Sequence, residues 1–259
     1  MRLRVDATLD YDFPQPADVL LSLEIAQMHD QLLVEDKLAV STATALIPIA
    51  GHQGIGRRTW AGGEGKFVAH YHGVVDVDRQ ASDLTRLRAF PLRSLPGEAI
   101  EYLWPSRYCR PDLLRSFVLE QFGTLEGGPL VAAMADWIGE HINYVPGSSN
   151  ERTTAEDSFL AREGICRDFA HVLIGFARAR DIPARMVSAY AWQLDPPDFH
   201  AIVEVYLDGG WHLIDPTGHA PIEGLVRIGV GRDAADVSFM TIFGKADLVR
   251  QTVEVRRID

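Results

Sequence analysis

The chain reads as an α+β protein, an N-terminal β-sandwich over residues 1–110 followed by a domain over residues 111–259 in which helices pack on an antiparallel sheet. Three observations predict this. The first hundred residues carry many short alternating or β-branched runs and no clear helical stripe. Between Pro111 and Arg180, apolar residues recur at helical spacing. From Ala184 the pattern returns to strands broken by glycine and proline.

Leu3, Val5, Ala7, Leu9 and Tyr11 alternate with Arg4, Asp6, Thr8 and Asp10, the mark of a half-buried strand. Phe13-Pro14-Gln15-Pro16 should break it. Further strands are expected at Val19–Ile25, Gln31–Val34, Leu38–Leu46 and Lys66–Val77, with Gly51–Gly65 as hairpins. Pro111–Gln121 suits a short helix, with Leu114, Val118 and Phe122 on one face. Three glycines between Gly123 and Pro129 suggest a boundary, and Pro129 fits a first helical position. Leu130, Met134, Trp137, Ile138 and Ile142 form an apolar stripe that reads as core. Thr154 with Asp157 resembles a capping box. A longer helix should run from Cys166 to about Arg180, stopped at Ile182-Pro183. Strands are expected at Ala184–Trp192, Phe199–Leu207 and Trp211–Asp215, the last two joined by a Gly209-Gly210 turn. Val237–Phe243 and Leu248–Val255 read as closing strands. No repeat or low-complexity tract is present.

The formal charge of −11 argues against a nucleic-acid partner, whose phosphates call for clustered Lys and Arg. Neither a signal-peptide pattern at the N-terminus nor a long uncharged apolar segment is seen, so a cytoplasmic, non-membrane protein is expected. No zinc, EF-hand, Walker or dinucleotide motif appears, and neither metal nor cofactor is expected. Cys109 and Cys166 are the only cysteines, and both are expected reduced.

Chemistry concentrates around Gly164-Ile165-Cys166-Arg167-Asp168-Phe169. Cys166 falls where a glycine turn gives way to a helix, so the unpaired N–H groups and dipole of the first turn favour a thiolate. A lone cysteine is more often a small buried hydrophobe. Downstream, however, stand His200 on one expected strand and Asp215 at the end of the next. Cysteine, histidine, aspartate is an order that suits a nucleophile, its base and the orienter of that base. Of the nine histidines, His171 points away from Cys166 along the same helix, His212 faces opposite to Asp215, and His219 lies in a loop beyond it. Hairpin register alone does not set His200 opposite Asp215; a bulge or a diagonal reach is needed. Asp168 reads as structural.

Cys166-Arg167-Asp168-Phe169-Ala170, Ile182-Pro183-Ala184-Arg185, His200-Ala201 leading into Glu204-Val205-Tyr206, and Asp215-Pro216-Thr217 together resemble the core of the bacterial transglutaminase-like superfamily. The resemblance covers roughly residues 125–220. It implies a papain-like core behind an N-terminal β domain, with Cys166, His200 and Asp215 as a catalytic set. It further implies acyl transfer from amide bonds of a peptide or protein, with water (protease or amidase) or an amine (transglutaminase) as acceptor. One departure is Ile202, where many members carry Trp; a non-catalytic binding module is the rival reading. For the oxyanion, the Cys166 N–H is the natural first donor and Tyr190 a candidate second.

Overall fold

The structure is a computed structural model describing residues 1–259. In order, its main elements are β1 (Arg2–Leu21), β2 (Gln31–Val40), β3 (Ile47–Ala50), β4 (Arg57–Val77), α1 (Gly97–Ile100), α2 (Pro111–Phe122), α3 (Gly127–His141) and β5 (Asn143–Tyr144). Then come α4 (Ala155–Ala161), β6 (Glu163–Gly164), α5 (Cys166–Ala179), β7 (Ala184–Ala191), β8 (Phe199–Leu207), β9 (Gly210–Ile214), β10 (Leu225–Gly231), α6 (Ala234–Val237), β11 (Met240–Phe243) and β12 (Asp247–Arg257).

The architecture is α+β with antiparallel main sheets. The N-terminal β part is one six-stranded sheet built on β1 and β4. Its strands are longer than the sequence suggests. Pro14 and Pro16 do not end β1; they sit in a register shift between Phe13 and Ala17, where proline costs no ladder bond. Opposite this shift, a Cβ on Gly63 would come within 2.8 Å of the Phe13 ring, so glycine lets the sheet bend there. Of the hairpins expected at Gly51–Gly65 one forms, its turn at residues 51–56 joining β3 to β4; the rest of the stretch is the first half of β4. The expected strand at 31–34 and the start of that at 38–46 merge into β2 through a bulge at Leu33/Glu35, and β2 ends at Val40, so residues 41–46 are not strand.

The split at residue 110 does not separate the two sheets. β11 and β12 pair with β1, so the last strands of the chain complete the N-terminal sheet. Hydrophobic alternation marks a strand but does not name its partner. The second sheet has the order β10-β7-β8-β9. β10 was not anticipated, although Val226, Ile228 and Val230 alternate; Gly229 and Gly231 interrupt that signal. The β8–β9 turn is Asp208-Gly209, one residue earlier than expected, with φ of 50° and 86°. Pro129 stands third in α3, not first.

One face of the second sheet carries the helices: Ala184, Met186, Val203 and Val205 pack with Leu114, Met134, Ile138, Leu173 and Phe176. At its other end Tyr190, Phe199, Val226 and Ile228 share a core with Leu3, Val5, Phe67 and Tyr71 of the bent sheet. The sheets are also tied by charge. Glu204, fully buried, accepts from Arg185 at 2.7 Å and Arg227 at 2.6 Å, and Arg227 also pairs with Asp30. Arg185 in turn lies over the Trp211 ring at 4.0 Å. No helix is long and apolar enough to cross a membrane.

Candidate active site

α5 starts at Cys166 because the chain before it is pinned. The Asp168 carboxylate accepts from the Ile165 N–H at 2.9 Å, closing the first turn from inside, and Arg167 holds its other oxygen at 2.9 Å. Asp168 is fully buried and structural, as its position two residues along the helix suggests. Gly164 has no left-handed φ; glycine is required there because a Cβ would sit 2.6 Å from the Asp168 Cβ. The short β5–β6 pairing holds the preceding strand alongside. Cys166 is thereby left half-buried and facing a cleft.

His200 lies in β8 and Asp215 just past the end of β9. Val203 pairs with Ile214, so one further step sets Ile202 beside Asp215 and leaves His200 two residues beyond. The contact is therefore diagonal on one face, a distance that a histidine spans. His200 Nε2 donates to Asp215 Oδ2 at 2.9 Å, with both side chains almost wholly buried. Asp215 is itself fixed: Thr217 donates from its N–H at 3.0 Å and hydroxyl at 2.7 Å, and Ala220 from its N–H at 3.1 Å. With Nε2 committed, Nδ1 is the nitrogen left for the Cys166 sulfur.

Burial alone would lower the His200 pKa. The hydrogen bonds it makes with Asp215 and Cys166, and the charges of both, outweigh it and raise the imidazole to about 9. Burial likewise acts to raise Asp215, yet its hydrogen bond to His200 and those from Thr217 hold the carboxyl below its usual range. The three residues read from the sequence are thus brought together: a thiol, an imidazole that favours its protonated form, and an ionised carboxylate behind it.

Tyr190 is not part of this group. Its hydroxyl donates to the Leu23 carbonyl at 2.7 Å, and its ring stacks on Tyr71 in the core between the sheets. Alternation places residues on a face but does not say which end of that face another sheet covers. Tyr144 is the residue that sequence reasoning missed. Burial and the adjoining Cys166 push its hydroxyl up to about 12, while the Cys166 backbone N–H pulls the other way. The phenol therefore stands protonated beside both the sulfur and the first amide of α5. Its sequence signal was weak, an aromatic in a turn ending at Val145-Pro146.

The other histidines serve elsewhere. His171 is buried against Tyr108, accepts from the Ala234 N–H at 3.2 Å, and is held neutral by burial, its pKa near 3. His212 bonds Ser82 and the Leu207 carbonyl. Ile202 is fully buried among Val187, Ala189 and Leu213. Cys109 is free and buried, and burial pushes its thiol far above the usual range.

A cleft of about 820 Å³ opens over Cys166 and His200. One wall carries Tyr108, from the loop ahead of α2, and Tyr144 of β5; the other comes from Phe239, Thr241 and Gln251 near the end of the chain, with Met186 and Ser188 of β7 between them. The bent sheet thus supplies part of the site.

Residues 124–216, which span all three site residues, match the family model of the transglutaminase-like superfamily. A proposed cysteine protease from Cytophaga hutchinsonii, known from its crystal structure, is 33% identical with a TM-score of 0.95, over the whole of this chain and 91% of that one. An uncharacterised protein of Mycobacterium leprae is 33% identical over 120 residues, 42% of this chain and 42% of its own length. One of Mycobacterium tuberculosis is 29% identical over 144 residues, 49% of this chain and 45% of its own length. The chain thus spans less than half the length of these curated relatives. Shared sequence and architecture along its whole length place the chain in the transglutaminase-like superfamily, whose members include cysteine-dependent enzymes.

Proposed function

We propose that the protein is a cysteine-dependent hydrolase of amide bonds in peptide or protein substrates, working through a thioacyl intermediate. The observation that carries this reading is the buried His200–Asp215 hydrogen bond of 2.9 Å beside Cys166 at a helix start inside a cleft. His200 takes the thiol proton, giving a thiolate–imidazolium pair. The thiolate attacks the amide carbon, and the oxyanion accepts from the Cys166 N–H and the Tyr144 hydroxyl. The His200 imidazolium then protonates the leaving nitrogen, the C–N bond breaks, and a thioester remains. His200, now neutral, takes a proton from water; the resulting hydroxide equivalent attacks the thioester and Cys166 leaves as thiolate. Asp215 holds the imidazole tautomer and offsets its charge throughout.

The test is alkylation of Cys166 as a function of pH, followed by mass spectrometry with Cys109 as the internal control. Reaction at Cys166 well below pH ~8, lost in His200→Ala, supports an ion pair; ordinary or absent reactivity refutes the reading. Peptide substrates offered with and without a primary amine then separate hydrolysis from transamidation.

A further inference from the structure

The charged groups lining the cleft are unevenly committed. Arg167 is engaged by Asp168 and by the Asn150 carbonyl at 2.8 Å. Asp198 accepts from Gln251 at 2.6 Å and from the Phe199 N–H at 2.7 Å, which ties its loop to β12. Glu151 faces Arg152 at 3.8 Å. Asp195 lies on the loop that Asp198 anchors. Of the two arginines Arg107 is the free one: no carboxylate or carbonyl engages its guanidinium, which lies 5.0 Å from the centre of the Tyr108 ring.

That ring is a fixed platform. Tyr108 is 8% exposed, stacks on His171, donates its hydroxyl to the Glu151 carbonyl at 2.7 Å, and gives its N–H to Asp233 at 2.8 Å. Arg107 is therefore held over a rigid face, its donors uncommitted, at the rim of a cleft whose interior includes Met186, Val237 and Phe239. A substrate entering this cleft strips water from the guanidinium. A neutral peptide returns nothing for that loss, whereas a carboxylate replaces the water with a two-point, charge-assisted contact.

We propose that Arg107 is a specificity-determining residue that binds a carboxylate of the substrate, so that the cleft selects peptides acidic near the amide to be cleaved. This rests on Cys166 as the nucleophile. It assigns the loop ahead of α2 the task of reading substrate charge, separately from the chemistry at Cys166 and His200.

The test uses a matched pair of thiol reagents, N-iodoacetyl-glutamate α-amide and N-iodoacetyl-glutamine α-amide, equal in size and differing by one charge. Their rates at Cys166 are compared with that of iodoacetamide. In the native protein the glutamate reagent is expected to react about ten-fold faster than its glutamine twin, as one charge-assisted contact provides. Arg107→Gln should abolish most of that preference and Arg107→Glu invert it, with the iodoacetamide rate unchanged in both. Arg107→Lys keeps the charge but not the fork, and should lose much of the preference. Equal ratios in the native protein and Arg107→Gln overturn the proposal. Full retention in Arg107→Lys also overturns it, because a long-range field would then suffice. If iodoacetamide itself does not react at Cys166, the nucleophile assignment falls instead.

Discussion

Replacing Asp215 with Asn keeps the shape of the side chain beside His200 and removes its charge. In the native protein His200 titrates near 9 against an ordinary value of 6.5, although burial pulls it down. A folded histidine that binds its proton more tightly than the unfolded one adds stability that is complete below pH 6.5. That stability is lost as pH rises through 9. At about 1.4 kcal/mol per pH unit, the difference corresponds to a ceiling of about 3 kcal/mol, shared between the Asp215 and Cys166 contacts. In Asp215→Asn the largest favourable contact goes while burial and the Cys166 contact stay, so His200 should titrate well below its native value. The decline in stability across that window should flatten accordingly. The assay is NMR of 13Cε1-labelled histidine through the titration, paired with urea unfolding at each pH. Titration of His200 still near 9 in the variant, or near 6.5 in the native protein, would refute the electrostatic account of the site.

Tyr144→Phe removes the hydroxyl proposed as an oxyanion donor, which also borders the Cys166 sulfur, and leaves the His200–Asp215 bond in place. Turnover of a peptide substrate should fall roughly 10²-fold or more, far more than the alkylation rate of Cys166 changes, as single-turnover and labelling kinetics would show. Glu204→Gln strips the charge shared by two buried arginines and should cost about 3–5 kcal/mol in urea unfolding, since Arg185 and Arg227 lose their common counter-ion. Gly164→Ala drives a methyl group into Asp168, displacing the group that closes the first turn of α5. A loss of about 1–3 kcal/mol and slower labelling of Cys166 are expected. Thr154→Ala breaks the reciprocal cap with Asp157 and should cost about 1 kcal/mol, with no effect on labelling.

Much of the site was legible because its signals are local. A cysteine at a helix start, a histidine inside a β-branched run and an aspartate ahead of proline each announce their surroundings within a few residues. The helices α2 and α5 and the strand β8 were legible for the same reason: a 3.6- or two-residue period, caps and a terminating proline are properties of the chain itself. Tyr144 escaped because its importance lies in what it stands beside, Cys166, 22 residues away. The Tyr190 expectation failed for the converse reason, since the strand face was legible and the sheet that covers it was not.

Sequence alone therefore determined the α+β class, the helices α2, α3 and α5 and the strands β7 to β9, and it singled out Cys166, His200 and Asp215 as candidates and Asp168 as structural. Tertiary structure decided which strands pair, sending β11 and β12 back to β1, and resolved the diagonal reach from His200 to Asp215. It also decided that the end of the chain walls the cleft and that Arg107 stands there without a partner. The physical reason is range. Periodicity, capping and turn chemistry act between neighbours in the chain, whereas pairing partners, burial and electrostatic company depend on which distant surfaces meet.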